Sequence, residues 1–194
     1  MAIKNNKRTV FVLAAAAIMA VAGYYFLSML TNGDFAYQAK KIGIGLKNAE
    51  HFMVKEISGN RMLAEKNGEI IRIETIKIGG KTKAEAYMKE QTALLDSMFD
   101  PQLPPYPEFL TIQTGCDEKY KPQEHHSAYG KYFIMYAGDR LGYGICVDDL
   151  ITYRASKGLL YCEKPDTLFT VEYFTDKNEN INSLINFNNS FFCR

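Results

Sequence analysis

The pattern of hydrophobic and polar positions divides the chain into three stretches. The first contains an unbroken apolar run, Val10–Leu30, without a charged residue. The second, residues 31–50, has weak apolar spacing and several glycines. In the third, residues 51–194, apolar positions recur with the periods of strands and helices, which predicts a single folded domain.

The run Val10–Leu30 is long enough for a helix to cross a hydrocarbon core of about 30 Å. A cleaved secretory signal is the alternative, because basic residues precede the run and an Ala-Val-Ala site lies at positions 20–22. Apolar residues continue past that site as far as Leu30. This continuation favours an uncleaved signal anchor that remains in contact with membrane lipid.

The flanking charges predict the orientation of this anchor. Lys4, Lys7 and Arg8 precede the run, whereas the next cations after it are Lys40 and Lys41. The positive-inside rule therefore places residues 1–9 in the cytoplasm. Residues 10–30 form the anchor, residues 31–50 a juxtamembrane linker with a short helix near Tyr37–Lys41, and residues 51–194 an extracytoplasmic domain, periplasmic or at the cell surface.

The four cysteines agree with export. Cys116, Cys146, Cys162 and Cys193 all lie beyond the anchor, and none belongs to a CxxC pair. An even number of cysteines without metal-ligand spacing predicts two disulfide bonds in an oxidising compartment. We favour the pairs Cys116–Cys146 and Cys162–Cys193, with Cys146–Cys162 as the rival connectivity.

Local signals predict the elements of the exported domain. Asn67-Gly68 separates two apolar runs and predicts a hairpin between strands over 61–65 and 69–78. Apolar residues recur at helical spacing from Thr82 until the prolines that begin at Pro101. Asn180 is placed to cap a final helix. Further strands are predicted over 51–57, 109–113, 129–137, 141–147, 151–153, 158–163 and 167–174, with a polar loop at 117–128.

These elements predict an α+β fold in which an antiparallel sheet is flanked by two helices, similar to an α/β/α sandwich. A proline-rich segment follows the first long helix, and its residues are stiff in extended conformations. We interpret it as a rigid connector, and as a possible interaction loop formed by Pro101, Pro104, Pro105, Tyr106 and Pro107.

Few residues have the spacing that chemistry requires. His125 and His126 adjoin Glu124, but neighbouring side chains of an extended segment point to opposite sides and rarely share one metal ion. Asp148-Asp149 is more typical of a turn or a helix cap than of an acid–base pair. The chain has no P-loop and no GxSxG motif. We therefore predict no catalytic, cofactor-binding or metal-binding residue.

The charge balance argues against nucleic acid as a partner. The chain has 23 basic and 22 acidic residues, whereas proteins that bind nucleic acid carry a basic face. Other membrane or envelope proteins are the expected partners, together with the lipid around Val10–Leu30.

Three classes of function fit these features, and we favour the first. In the first, the chain is a membrane-anchored, extracytoplasmic, non-catalytic domain that acts as a structural or accessory subunit of a larger membrane or envelope complex. The second is a pilin-like surface filament subunit, although the chain lacks an evident prepilin cleavage motif. The third is an envelope small-ligand-binding protein or enzyme, with a pocket near Asp148, Asp149 and His125.

Overall fold

The computed structural model describes residues 33–47, 52–97, 120–138 and 148–194. These ranges contain three α-helices, namely α1 (Phe35–Lys41), α2 (Lys81–Ser97) and α3 (Ile181–Asn189). They also contain nine strands: β1 (Ile44–Leu46), β2 (Met53–Ser58), β3 (Arg61–Lys66), β4 (Glu69–Lys77), β5 (Gln123–Ser127), β6 (Gly130–Gly138), β7 (Ile151–Cys162), β8 (Thr167–Asp176) and β9 (Phe191–Cys193). The predicted α+β class is confirmed, with three described helices instead of two.

Seven strands form one antiparallel sheet in the order β2-β3-β4-β8-β7-β6-β5. The sheet joins a meander of β2, β3 and β4 to a second meander of β5, β6, β7 and β8. The two meanders meet where β4 pairs with β8, with Ile71 opposite Tyr173 and Ile73 opposite Val171. A separate two-stranded ribbon contains β1 and β9.

The predicted β3–β4 hairpin is confirmed, and its turn explains why it forms. Asn67 and Gly68 both have positive φ angles, 51° and 86°. A two-residue hairpin loop favours this combination because its twist matches that of the two strands, and asparagine and glycine tolerate it best. A local preference thereby sets the register that places Ile71 and Ile73 on one face.

One face of the sheet, called here the covered face, is mostly apolar and is covered by α1, β1, β9 and α3. Its residues include Ile71, Ile73 and Val171, all with no exposed surface. Helix α3 is held to the sheet by a buried hydrogen bond, since the Asn188 side-chain amide donates to Ser156 Oγ over 2.8 Å. A satisfied buried polar pair of this kind specifies how a helix sits on a sheet.

The opposite face is called here the mixed face, because only part of it is apolar. Leu95 and Met88 of α2 pack there against an apolar cluster on β6, β7 and β8 that includes Phe133 and Leu159. Helix α2 begins at Lys81, one residue before Thr82, where the helical spacing of apolar residues starts. The Gly80 carbonyl accepts the first helical hydrogen bond, from Ala84 N–H over 3.1 Å.

Residues 33–47 differ from the predicted linker. Phe35, Ala39 and Ile44 are at most 1 % exposed and belong to the core of the covered face. Helix α1 includes the short helix predicted near Tyr37–Lys41, and Asp34 caps it by accepting hydrogen bonds from two backbone N–H groups. The apolar spacing in residues 33–47 is weak because the helix has only seven residues and the strand only three. Each buries only a few side chains, so neither repeats its apolar period often enough to be recognised in the sequence.

Two other segments also differ from the sequence-based expectation. The strands predicted over 151–153 and 158–163 are one strand, β7, because intervening polar residues such as Ser156 are buried against α3. Part of the predicted polar loop at 117–128 is strand β5 at the sheet edge. An edge strand exposes both faces to some extent, so its polar sequence carries no clear β signal.

The β1–β9 ribbon is tied to the main sheet by a disulfide bond between Cys162 and Cys193, the pairing favoured above over Cys146–Cys162. Gly45 lies directly beneath the Phe192 ring, so a Cβ atom at this position would overlap the ring.

Cys116 and Cys146 lie outside the described residues, as do the proposed anchor Val10–Leu30, the proline-rich segment and the strands predicted over 109–113 and 141–147.

No helix within the four described ranges is long and apolar enough to span a membrane.

The disulfide bond leads to a stability prediction. It links residues 31 positions apart, and closing a loop of this length restricts the unfolded chain by about 3–4 kcal/mol. We expect a Cys162→Ala/Cys193→Ala variant to lose about this much unfolding free energy in a urea titration. The single Cys193→Ala variant should lose nearly as much, because either change opens the loop. Fully additive losses from the two single variants would contradict loop closure as the cause.

Candidate interaction surface

The structure separates the two neighbouring histidines. His125 faces the covered side of β5 and stacks on the Tyr132 ring, with centroids 5.2 Å apart and planes 10° apart. His126 lies on the other side with Glu124, whose Oε1 is 3.6 Å from His126 Nε2 and 3.3 Å from Lys131 Nζ. The Nε2 atom of His125 is buried without a hydrogen-bond partner among the described residues.

The remaining residues considered for chemistry are also dispersed. Asp148 and Asp149 begin a short 3₁₀ helix, Asp148–Leu150, that leads into β7, in agreement with the predicted turn. Across residues 33–47, 52–97, 120–138 and 148–194, no group of three His, Cys, Asp or Glu side chains could hold a metal ion. His51 and Cys116 lie outside these ranges.

A different group of side chains forms an organised polar surface on the mixed face. The register places Leu63, Arg72 and Glu172 side by side across β3, β4 and β8. A parallel row contains Arg61, Glu74 and Thr170. With two residues of β2, these rows line a depression of about 520 Å³. We call this surface the platform; it comprises Glu56, Ser58, Arg61, Leu63, Arg72, Glu74, Thr170 and Glu172.

Ion pairs between strands link four charged side chains of the platform: Arg61 with Glu74, and Arg72 with Glu172. Arg72 donates from a guanidinium nitrogen to Glu172 Oε2 over 2.9 Å, and Glu172 is only 12 % exposed. Arg61 Nε lies 3.4 Å from Glu74 Oε2. The Asn60 amide donates to the other Glu74 oxygen over 3.1 Å. Arg72 and Glu172, which belong to different meanders, are therefore paired before any partner binds.

The platform ends where helix α2 begins to cover the mixed face. Lys157 lies opposite Glu172 in the next strand, and its Nζ is 3.5 Å from Gln91 Oε1 on α2. On the other side of this boundary, the residues that line the depression all belong to β2, β3, β4 and β8. The platform is thus a broad surface of paired charges around one leucine, which suits contact with a complementary protein surface.

A second polar cluster connects the β7–β8 turn to the start of α2. Asp166 Oδ1 accepts hydrogen bonds from the Tyr161 hydroxyl and from Gly80 N–H, both over 2.8 Å. These two bonds, in that order, hold the pKa of Asp166 below its ordinary value of 3.8. The hydrogen bond between Tyr161 and Asp166 also raises the pKa of Tyr161. This cluster orients α2 above β7 and is structural.

Sequence reasoning missed the platform. Its only trace in the sequence is an alternation of period two, in which Arg72 and Glu74 interleave with Ile71 and Ile73. That alternation predicts a strand with one exposed face, but it does not reveal that Glu172 lies opposite Arg72. The proline-rich residues proposed as an interaction loop lie outside the described residues.

The chain matches no protein-family model, no curated protein and no solved structure. The interpretation of the platform therefore rests on its own side chains and their geometry.

The Asp166 cluster predicts a pH dependence of stability. Because the pKa of Asp166 is lower in the folded protein than in the unfolded chain, its stabilising effect is complete above about pH 4 and is lost as the pH falls through the folded pKa. We expect Asp166→Asn to lower the urea midpoint at about pH 6, and the difference from wild type to shrink as the pH falls below about 4. Asparagine tolerates the positive φ of 53° at this position.

Tyr161→Phe provides a control for this prediction, because it removes the hydroxyl that contributes most to the low pKa. The acid loss of stability should then be smaller than in wild type and complete at a higher pH, because the folded-state pKa of Asp166 moves closer to the unfolded one. An identical pH profile for wild type and Asp166→Asn would contradict the assignment.

Proposed function

We propose that this chain is a membrane-anchored, extracytoplasmic, non-catalytic accessory subunit, and that its platform docks onto another protein of a membrane or envelope complex. The anchor in this proposal is Val10–Leu30, with the N-terminus in the cytoplasm.

The observation that carries the proposal is the preorganised platform. Two arginines, Arg61 and Arg72, are held by acidic partners on neighbouring strands, and Leu63 lies beside them. Arginine is enriched in protein interfaces and among the residues that dominate binding energy. Side chains already fixed by ion pairs lose little conformational freedom when a partner binds.

Two further features support an exported location. The disulfide bond between Cys162 and Cys193 is typical of oxidising compartments. The apolar run with preceding basic residues has the length and flanking charges of a signal anchor. The disulfide is inferred from the folded domain and the anchor from a separate part of the sequence, so these two supports are independent.

The proposal is tested by blocking the platform without breaking its ion pairs. Ser58 is exposed at the rim of the platform, so Ser58→Arg adds bulk where a partner would make contact. We expect the wild-type chain, purified in mild detergent from its own membranes, to run in a complex well above the 22.0 kDa of the chain alone. Ser58→Arg should shift much of it to the size of the free chain.

The matched control is Ser183→Arg, which places the same side chain at an exposed serine on α3. This variant should remain in the complex. If the wild type runs as a free chain, or if both variants dissociate equally, the platform is not the docking surface. Catalytic turnover by the isolated chain would contradict the accessory role.

A further inference from the structure

We propose that the surface where the chain enters the domain rests on the lipid headgroups, so that the β2 edge of the sheet faces the bilayer and the β5 edge points away. We call it the entry surface; it comprises Gly33, Asp34, Tyr37, Lys40, Lys41 and Met53. The inference rests on the proposed anchor, and it adds an interaction of the folded domain with lipid.

The first argument is the length of the tether. Only two residues separate Leu30, the end of the apolar run, from Gly33, the first described residue. Even fully extended, this connection spans at most about 11 Å. The headgroup layer on each side of a bilayer is about 5–8 Å thick. Gly33 therefore lies within or just beyond the headgroups, whatever conformation the connection adopts.

The second argument is that the entry point is fixed to the sheet edge. Asp34 forms a β-bridge with Met53, and Phe35 N–H donates to the Phe52 carbonyl over 3.3 Å. The Phe35 side chain is 1 % exposed in the core. Because these contacts hold the entry point, the short tether brings the start of β2 and helix α1 close to the bilayer together.

The third argument is the chemistry of this surface. Met53 is 51 % exposed and Tyr37 is 41 % exposed, and Lys41 Nζ lies 4.6 Å from the centre of the Tyr37 ring. Lys40 and Lys41 are both exposed in the last turn of α1. Tyrosine is enriched at the membrane interface, and lysines near the surface are attracted to anionic headgroups.

The acidic residue of the entry surface does not oppose this attraction strongly. Asp34 accepts hydrogen bonds from the backbone N–H groups of Ala36 over 2.8 Å and Tyr37 over 3.3 Å. Its charge is therefore directed toward the N-terminus of α1, where the helix dipole favours an anion. The cations lie at the other end of the helix, where they are free to approach phosphate groups.

The absence of tryptophan from the chain allows a direct test. We would place single tryptophans by Tyr37→Trp and Met53→Trp in the full chain, reconstituted in vesicles of phosphatidylcholine and phosphatidylglycerol with brominated acyl chains. The control is His126→Trp, whose side chain is 80 % exposed on the opposite edge strand. Six strand spacings separate the two edges, about 29 Å.

We expect bromine quenching of the tryptophans at positions 37 and 53 to be at least about twofold stronger than at position 126, because interfacial side chains insert toward the acyl boundary. A Lys40→Gln/Lys41→Gln background should weaken quenching at position 37 in anionic vesicles, and high salt should reduce that difference. Two probe positions keep the test valid if one variant fails to fold.

Equal quenching at all three positions, in protein that resists extraction from the vesicles by alkali, would overturn the entry surface and leave the anchor intact. The entry surface would also be overturned if neither bromine nor aqueous acrylamide quenched the tryptophans at positions 37 and 53. A second copy of the chain would then cover this surface instead of lipid. Extraction of the wild-type chain by alkali would instead refute the anchor and, with it, the proposed function.

Discussion

The antiparallel pairing of β4 with β8 is the constraint on which the rest of the structure depends. It aligns residues as far apart in sequence as Arg72 and Glu172, which are separated by 100 positions. The β3–β4 hairpin and the β6–β7–β8 meander each involve nearby residues. Their union requires a long loop closure, which costs entropy that only the burial of a shared face can offset.

That pairing creates two faces of different character. Ile71, Ile73 and Val171 align across it on the covered face and are fully buried. Because side chains alternate along a strand, the same register aligns Arg72 with Glu172 on the opposite face. The apolar core beneath α1 and α3 and the polar platform therefore result from one set of backbone hydrogen bonds.

The two proposed surfaces lie at compatible places on the sheet. The entry surface is at the β2 edge, whereas the platform covers one face of β2, β3, β4 and β8. A sheet standing with its β2 edge on the headgroups would present the platform sideways, just above the bilayer. A partner anchored in the same membrane could reach it there without large movements of either chain. The short tether would thus serve docking, because it limits the height and orientations of the platform.

Signals that act between neighbouring residues were sufficient to predict several elements. Asn67-Gly68 specified the β3–β4 hairpin, since both residues tolerate positive φ. Asn180 specified the start of α3, where its side chain accepts a hydrogen bond from Asn182 N–H. The alternation of side chains along an extended segment also indicated that His125 and His126 would point apart.

Other features became visible only in the folded chain. The polar residues of β5 form a strand because β6 offers backbone hydrogen bonds. Helix α1 enters the core because its Phe35 and Ala39 cover apolar side chains of the sheet. The platform exists because β4 meets β8 in one register and not another. Torsional preferences and helix caps depend on residues a few positions apart and can therefore be recognised in the sequence. Which distant strands pair, and which side chains then become neighbours, depends on the burial of surfaces that no local segment contains.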